Sequence, residues 1–99
     1  MKKVLVCCTA GVSTSLLVSK MQHVATERNL GIEIEAHPMS DAVSKISEAD
    51  LVLLSPQIGF AKGSVEEVST VPVSVIDQDL YARADAPGIM DGVAELLEL

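Results

Sequence analysis

The chain predicts a three-layer α/β domain: a four-stranded parallel sheet with helices on both faces. Three observations carry that expectation. Four short β-like segments alternate with helical ones along the 99 residues, and a βαβαβαβα order calls for parallel strands joined by crossover helices. Two of the segments are apolar throughout, while the other two alternate or are thin in apolar residues. The first segment runs straight into a small, polar, glycine-containing loop followed by an amphipathic stretch.

In chain order, Lys3 to Cys7 is a near-continuous apolar run that ends in a cysteine pair. From about Thr14 to Asn29, Leu17, Met21, Val24 and Ala25 recur at helical spacing, with Lys20, Glu27 and Arg28 on the opposite side and Gly31 as the expected stop. Ile32-Glu33-Ile34-Glu35-Ala36 alternates strictly, as a strand with one wet face does. Ser40-Asp41 then cap a short helix to about Glu48 that turns Ala42, Val43 and Ile46 inward. Leu51 to Leu54 is a second solid apolar run, stopped by Ser55-Pro56. A weak helix over Ala61 to Ser69, a strand over Val73 to Ile76 and a final helix after Pro87-Gly88 complete the pattern. Neither a repeat nor a linker interrupts it, and residues 1–99 read as one domain.

Strands buried on both faces read as continuous apolar runs, so strands one and three belong at the centre and two and four at the edges. The spatial order becomes 2-1-3-4. Strand order then reverses between strands one and three, and the carboxyl ends of strands at such a reversal form the ligand crevice of open α/β sheets. The loops Cys8 to Ser13 and Ser55 to Phe60 meet there.

Bulk properties narrow the field. The hydrophobic fraction of 48% supports a real core, and an aliphatic one, since Tyr81 and Phe60 are the only aromatic residues. No apolar run approaches the roughly 18–20 residues that span a bilayer. Thr9, Gly11 and Ser13 break the first apolar run too early for a secretory signal. A formal charge of −7 argues against nucleic acid as a partner. The two cysteines are adjacent, a spacing that cannot staple a small fold without strain, so free thiols and a reducing, cytoplasmic setting are expected.

Chemistry gathers in the first loop. Cys8 lies at a strand end beside a turn that precedes a helix N-terminus, where partial positive charge gathers and anions bind. Such a field also favours a thiolate as nucleophile. Thr9, Ala10, Gly11, Val12, Ser13, Thr14 and Ser15 are small enough for backbone N–H groups to converge on phosphate oxygens, and Ser13 to Ser15 add hydroxyl donors. Ser13 or Thr14 serves equally well as a helix N-cap. Strand alternation turns Cys7 to the opposite face and into the core. Cys7, Cys8, His23 and His37 are the only soft metal ligands and show no ligand spacing, so neither a metal nor a cofactor is expected and both histidines read as surface residues. Cysteine-dependent tyrosine phosphatases, including the low-molecular-weight class on a similar sheet, carry Cys-x5-Arg-Ser/Thr. Here the arginine position is Thr14 and nothing basic occurs in the loop. A phosphoenzyme formed without that arginine hydrolyses slowly.

The run Cys8-Thr9-Ala10-Gly11-Val12-Ser13-Thr14-Ser15-Leu16-Leu17 resembles the cysteine loop of the IIB proteins of the phosphoenolpyruvate-dependent sugar phosphotransferase system, lactose/cellobiose type. Val18 to Met21, Ile34 to Ala36, Ala49 to Ile58, Val75 to Asp77 and Tyr81 continue the likeness across essentially the whole chain. The resemblance implies a parallel sheet in the order 2-1-3-4 and phosphorylation of Cys8 by a phosphohistidine of a IIA protein. The group then passes to a sugar, a β-linked disaccharide by type, as a membrane IIC protein transports it; the chain itself is implied to be a monomer. Gln57, in the neighbouring loop, is a donor to a phosphoryl oxygen, a partner-facing residue or an exposed amide. Asp77 and Asp79 fit either a general acid or helix-capping residues. Two departures stand out: Val12 replaces the usual methionine, and Ser55 stands where glycine is common. A small cysteine phosphatase and a non-enzymatic regulatory module on the same fold are the alternative readings.

Overall fold

The computed structural model describes residues 2–8, 12–38, 41 and 43–98. Its strands are β1 (Lys2–Cys8), β2 (Ile32–Pro38), β3 (Leu51–Leu54) and β4 (Val73–Val75), all parallel and in the order β2-β1-β3-β4. The order expected from the apolar runs is the one observed. The α-helices are α1 (Val12–Glu27), α2 (Lys62–Val68), α3 (Gln78–Ala82) and α4 (Ala86–Leu96), with 3₁₀ segments over Val43–Glu48 and Pro56–Ala61.

Alternation along β1 divides the core in two. Val4 and Val6 face α1 and α4, packing with Leu51, Leu53, Met21 and Met90. Leu5 and Cys7 face the other way and pack with Val52, Leu54, Ile46, Ile58 and Val65 from the 3₁₀ segments and α2. β1 and β3 are buried on both sides, which is why their sequences show no polar alternation. Helix α4 turns Ala86, Ile89, Met90 and Val93 inward at helical spacing. Burying each of the three larger ones contributes about 1.5–3 kcal/mol.

Several local expectations shift. Helix α1 ends at Glu27, two residues short of the expected Asn29, and the residue that stops it is Asn29, not Gly31. Asn29 takes φ 54°, and the bonds Leu30 N to Ala25 O (3.0 Å) and Asn29 N to Thr26 O (3.2 Å) close the last turn. Gly31, at φ 66°, makes the bend into β2. Residues 43–48 wind as 3₁₀ rather than α, with Ile46 buried; Ser40 and Ala42 lie outside the described residues. Pro56 begins a 3₁₀ segment instead of merely ending β3, since proline fits a first helical position. Pro87 and Gly88 sit inside the first turn of α4, whose cap is Asp85, accepting from Gly88 N at 3.0 Å. A Cβ at Gly88 would meet Leu80 Cδ2 at 2.9 Å, so a larger residue there requires the end of the Leu80 side chain to shift.

Edge strand β2 receives one further contact. The Gln22 side chain of α1 donates from Nε2 to Ile32 O (2.9 Å) and accepts from Ile34 N at Oε1 (2.8 Å).

Candidate functional site

Cys8 is the last residue of β1, at the carboxyl end of a central strand, and is 5% exposed. Its thiol donates weakly to the His37 carbonyl of β2 at 3.8 Å. Cys7, one residue earlier and on the opposite face, is fully buried among aliphatic side chains. Burial, aided by the neighbouring Cys8, pushes its thiol up to about 11, so Cys7 stays protonated and inert. Both cysteines are free.

Of the expected phosphate loop, Thr9, Ala10 and Gly11 lie outside the described residues. Val12, Ser13, Thr14 and Ser15 form the first turn of the 16-residue α1, and no acidic residue in that turn competes for the helix N-terminal N–H groups. Ser15 is exposed. The thiol of Cys8 is therefore separated from a helix N-terminus by three residues only.

Gln57 is exposed on the 3₁₀ segment after β3 and lines a cleft of about 500 Å³ with Leu16, Leu17, Pro56, Gln78 and Tyr81. Cys8 is not in the wall of that cleft. Leu16 and Phe60 stand out as exposed apolar side chains at this end of the sheet, at 63% and 88% exposure. Asp77 caps α3, accepting from Asp79 N (2.9 Å) and Leu80 N (3.1 Å) through Oδ1, while Asp79 pairs with Arg83 at 2.9 Å. Helix capping accounts for Asp77 and an ion pair for Asp79.

Two features went unread in the sequence. His37 is half-buried rather than on the open surface. Its Nε2 lies 2.9 Å from Glu35 Oε1, and Lys3 Nζ lies 2.8 Å from Glu35 Oε2. Hydrogen bonds from Lys3 first and His37 second hold the Glu35 carboxyl down at about 2, and Glu35 in turn raises Lys3. The signal was present in the parity of the strands: Lys3 pairs with Glu33, so Lys3, Glu35 and His37 share a face. His23, by contrast, is exposed as expected, against Glu27 at 3.0 Å. The second feature is Ser55, fully buried, whose Oγ finds no hydrogen-bond partner among the described residues. An unpaired buried hydroxyl costs about 1–3 kcal/mol.

Residues 3–91 match the sequence model of the lactose/cellobiose-specific IIB subunits of the phosphotransferase system (PTS). The chain is 39% identical to the oligo-β-mannoside-specific EIIB component of Bacillus subtilis over 88 residues, covering 86% of this chain and 85% of that one. It is 35% identical to the galactose-specific EIIB component of Lactococcus lactis subsp. cremoris, covering 97% and 96% of the two chains. Among solved structures, the cellobiose-specific IIB component of Borrelia burgdorferi superposes with a TM-score of 0.73 at 29% identity, over 91% of this chain and 85% of that one. The lactose-specific IIB domain of Streptococcus pneumoniae gives a TM-score of 0.85 over 96% of both chains at 15% identity, a likeness of fold. No helix of the described residues is long and apolar enough to cross a membrane. With the family model spanning most of the chain and the parallel sheet in the expected order, this protein belongs to the lactose/cellobiose-specific IIB family of the sugar phosphotransferase system.

Proposed function

We propose that this chain is a cytoplasmic phosphocarrier that takes a phosphoryl group from a IIA phosphohistidine onto Cys8 and delivers it to a sugar held by a membrane IIC protein. The observation that carries this reading is the position of Cys8. It ends a central strand three residues before the start of a long helix, with Thr14 where a phosphatase has its arginine.

In the first step the Cys8 sulfur attacks phosphorus in line. The S–P bond forms as the P–N bond breaks, the thiol proton is transferred to the departing imidazole nitrogen, and the imidazole of IIA leaves neutral. In the second, a sugar hydroxyl oxygen attacks the same phosphorus, the S–P bond breaks, and the hydroxyl proton passes to the departing sulfur, so that the thiol returns. The backbone N–H groups of residues 9–15 supply fixed dipoles for the phosphoryl oxygens, so that catalysis is chiefly positioning. Without an arginine to stabilise attack by water, the loaded state persists until the acceptor arrives. Exposed Leu16 and Phe60 offer apolar contacts at the same end of the sheet for partners that come and go. Gln57 lies on that rim and takes the role of a partner-facing amide. The named relatives serve an oligo-β-mannoside, galactose and cellobiose, and a β-linked disaccharide is the sugar class we assign here.

Incubation with the phosphohistidine form of a lactose/cellobiose-type IIA protein tests the reading. Intact mass is expected to show a single added phosphoryl group, absent in Cys8→Ala. An adduct that survives Cys8→Ala refutes it, and steady turnover of an aryl phosphate restores the phosphatase alternative.

A further inference from the structure

Ser55 sits in the row next to Cys8. The β1–β3 register pairs Val4 with Leu51 and Cys7 with Leu54, and the bond from Ser55 N to Cys7 O at 3.0 Å carries the ladder one step further. Ser55 keeps an extended backbone, φ −65° and ψ 153°, so alternation puts its side chain on the face of Leu51 and Leu53. That is the face Val4 and Val6 share, and Cys8 follows them by the same parity. Adjacent strands lie about 4.8 Å apart. Ser55 and Cys8 are thus lateral neighbours at the carboxyl ends of the two central strands.

The Ser55 hydroxyl has no local task. It stands before the 3₁₀ segment Pro56–Ala61 yet makes no side-chain cap bond, and Pro56 has no N–H to offer. It is fully buried, with no partner among the described residues. On the other side of β1, the Cys8 thiol donates weakly to His37 O. Phosphorylation removes that S–H donor and puts three strong acceptor oxygens in its place. A buried donor without an acceptor then lies beside acceptors that exist only in the loaded state.

We propose that the Ser55 hydroxyl donates a hydrogen bond to the phosphoryl group carried on Cys8 and so stabilises the loaded form over the empty one. This rests on the reading of Cys8 as the phosphoryl acceptor. Ser55 is a binding residue for the transferred group, and the empty protein derives no benefit from it.

The test compares wild type with Ser55→Ala. Each is equilibrated with the phosphohistidine form of a lactose/cellobiose-type IIA protein, the loaded fraction is read by intact mass and ³¹P NMR, and thermal midpoints are taken on the empty proteins. The expected result is a fall of about tenfold in the ratio of loaded IIB to loaded IIA, as befits one hydrogen bond to a charged group. The midpoint of the empty variant stays equal to wild type or rises, and the ³¹P resonance moves. An unchanged ratio overturns the role of Ser55 and leaves Cys8 standing. A fall in the ratio together with a lowered midpoint of the empty protein makes Ser55 merely structural and also overturns it. Failure of the wild type to load at Cys8 brings down both readings.

Discussion

Exchanging sulfur for oxygen at two adjacent positions should give opposite outcomes. Cys7 is fully buried in a cluster of Leu5, Val52, Leu54 and Ile58, and its side chain makes no hydrogen bond among the described residues. Cys7→Ser puts a hydroxyl into this apolar setting, at a cost of about 1–3 kcal/mol. For a domain of 99 residues, each kcal/mol moves the midpoint by roughly 4–8 °C, so a loss of about 4–24 °C is expected. Loading by phosphorylated IIA should be intact in whatever fraction is folded. Cys8→Ser faces a carbonyl acceptor already in place at His37, so its stability cost stays below about 1 kcal/mol, while formation of the phosphocysteine is abolished. Urea denaturation and intact-mass loading assays on both variants measure the two effects. If Cys8→Ser is the more destabilising, or if folded Cys7→Ser fails to load, the assignment of the two thiols to opposite faces is refuted.

The Lys3–Glu35–His37 group makes a pH-dependent contribution. Glu35 is held at about 2 against an ordinary 4.5. Its stabilisation is complete above about 4.5 and is lost as pH falls towards about 2, where the folded carboxyl also protonates. With its side chain 32% exposed, screening limits the effect to about 1 kcal/mol. Urea midpoints of wild type and Glu35→Gln should therefore differ at pH 6, draw closer at pH 3 and converge only at about pH 2; a constant gap contradicts the coupling. Asp77→Ala removes an acceptor of two backbone N–H groups and should cost about 1 kcal/mol in denaturant titration. Because Asp77 is used as a cap, loading of Cys8 should persist in that variant.

Much of the fold was legible because its strongest signals are one-dimensional. Continuous apolarity at residues 4–7 and 51–54 marks burial on both faces, and strict alternation at 32–36 marks an edge, which together yield the sheet order. The 3₁₀ segment Pro56–Ala61 and the five-residue α3 escaped because neither is long enough to show a period. Pro56 as a first helical residue and Asp77 as a cap were the available signs. Cys8 was legible from its place between a strand and a small-residue loop. Ser55 was not, since its meaning depends on register: only the pairing of Cys7 with Leu54 brings it level with Cys8. The acidic-basic cluster on β1 and β2 was hidden for the same reason.

The amide of Gln22 has a consequence beyond its two hydrogen bonds. It meets Ile32 O and Ile34 N on the outer side of β2, where the next strand of a growing sheet would bond. A single side chain thus acts as a one-residue strand, and an incoming chain must displace it before pairing begins. At the opposite margin β4 spans only three residues, too short to template an addition. Losing the amide, as in Gln22→Leu, would uncover a polar backbone edge beside a hydrophobic sheet. The danger to such a molecule lies less in unfolding than in its copies joining edge to edge into fibres.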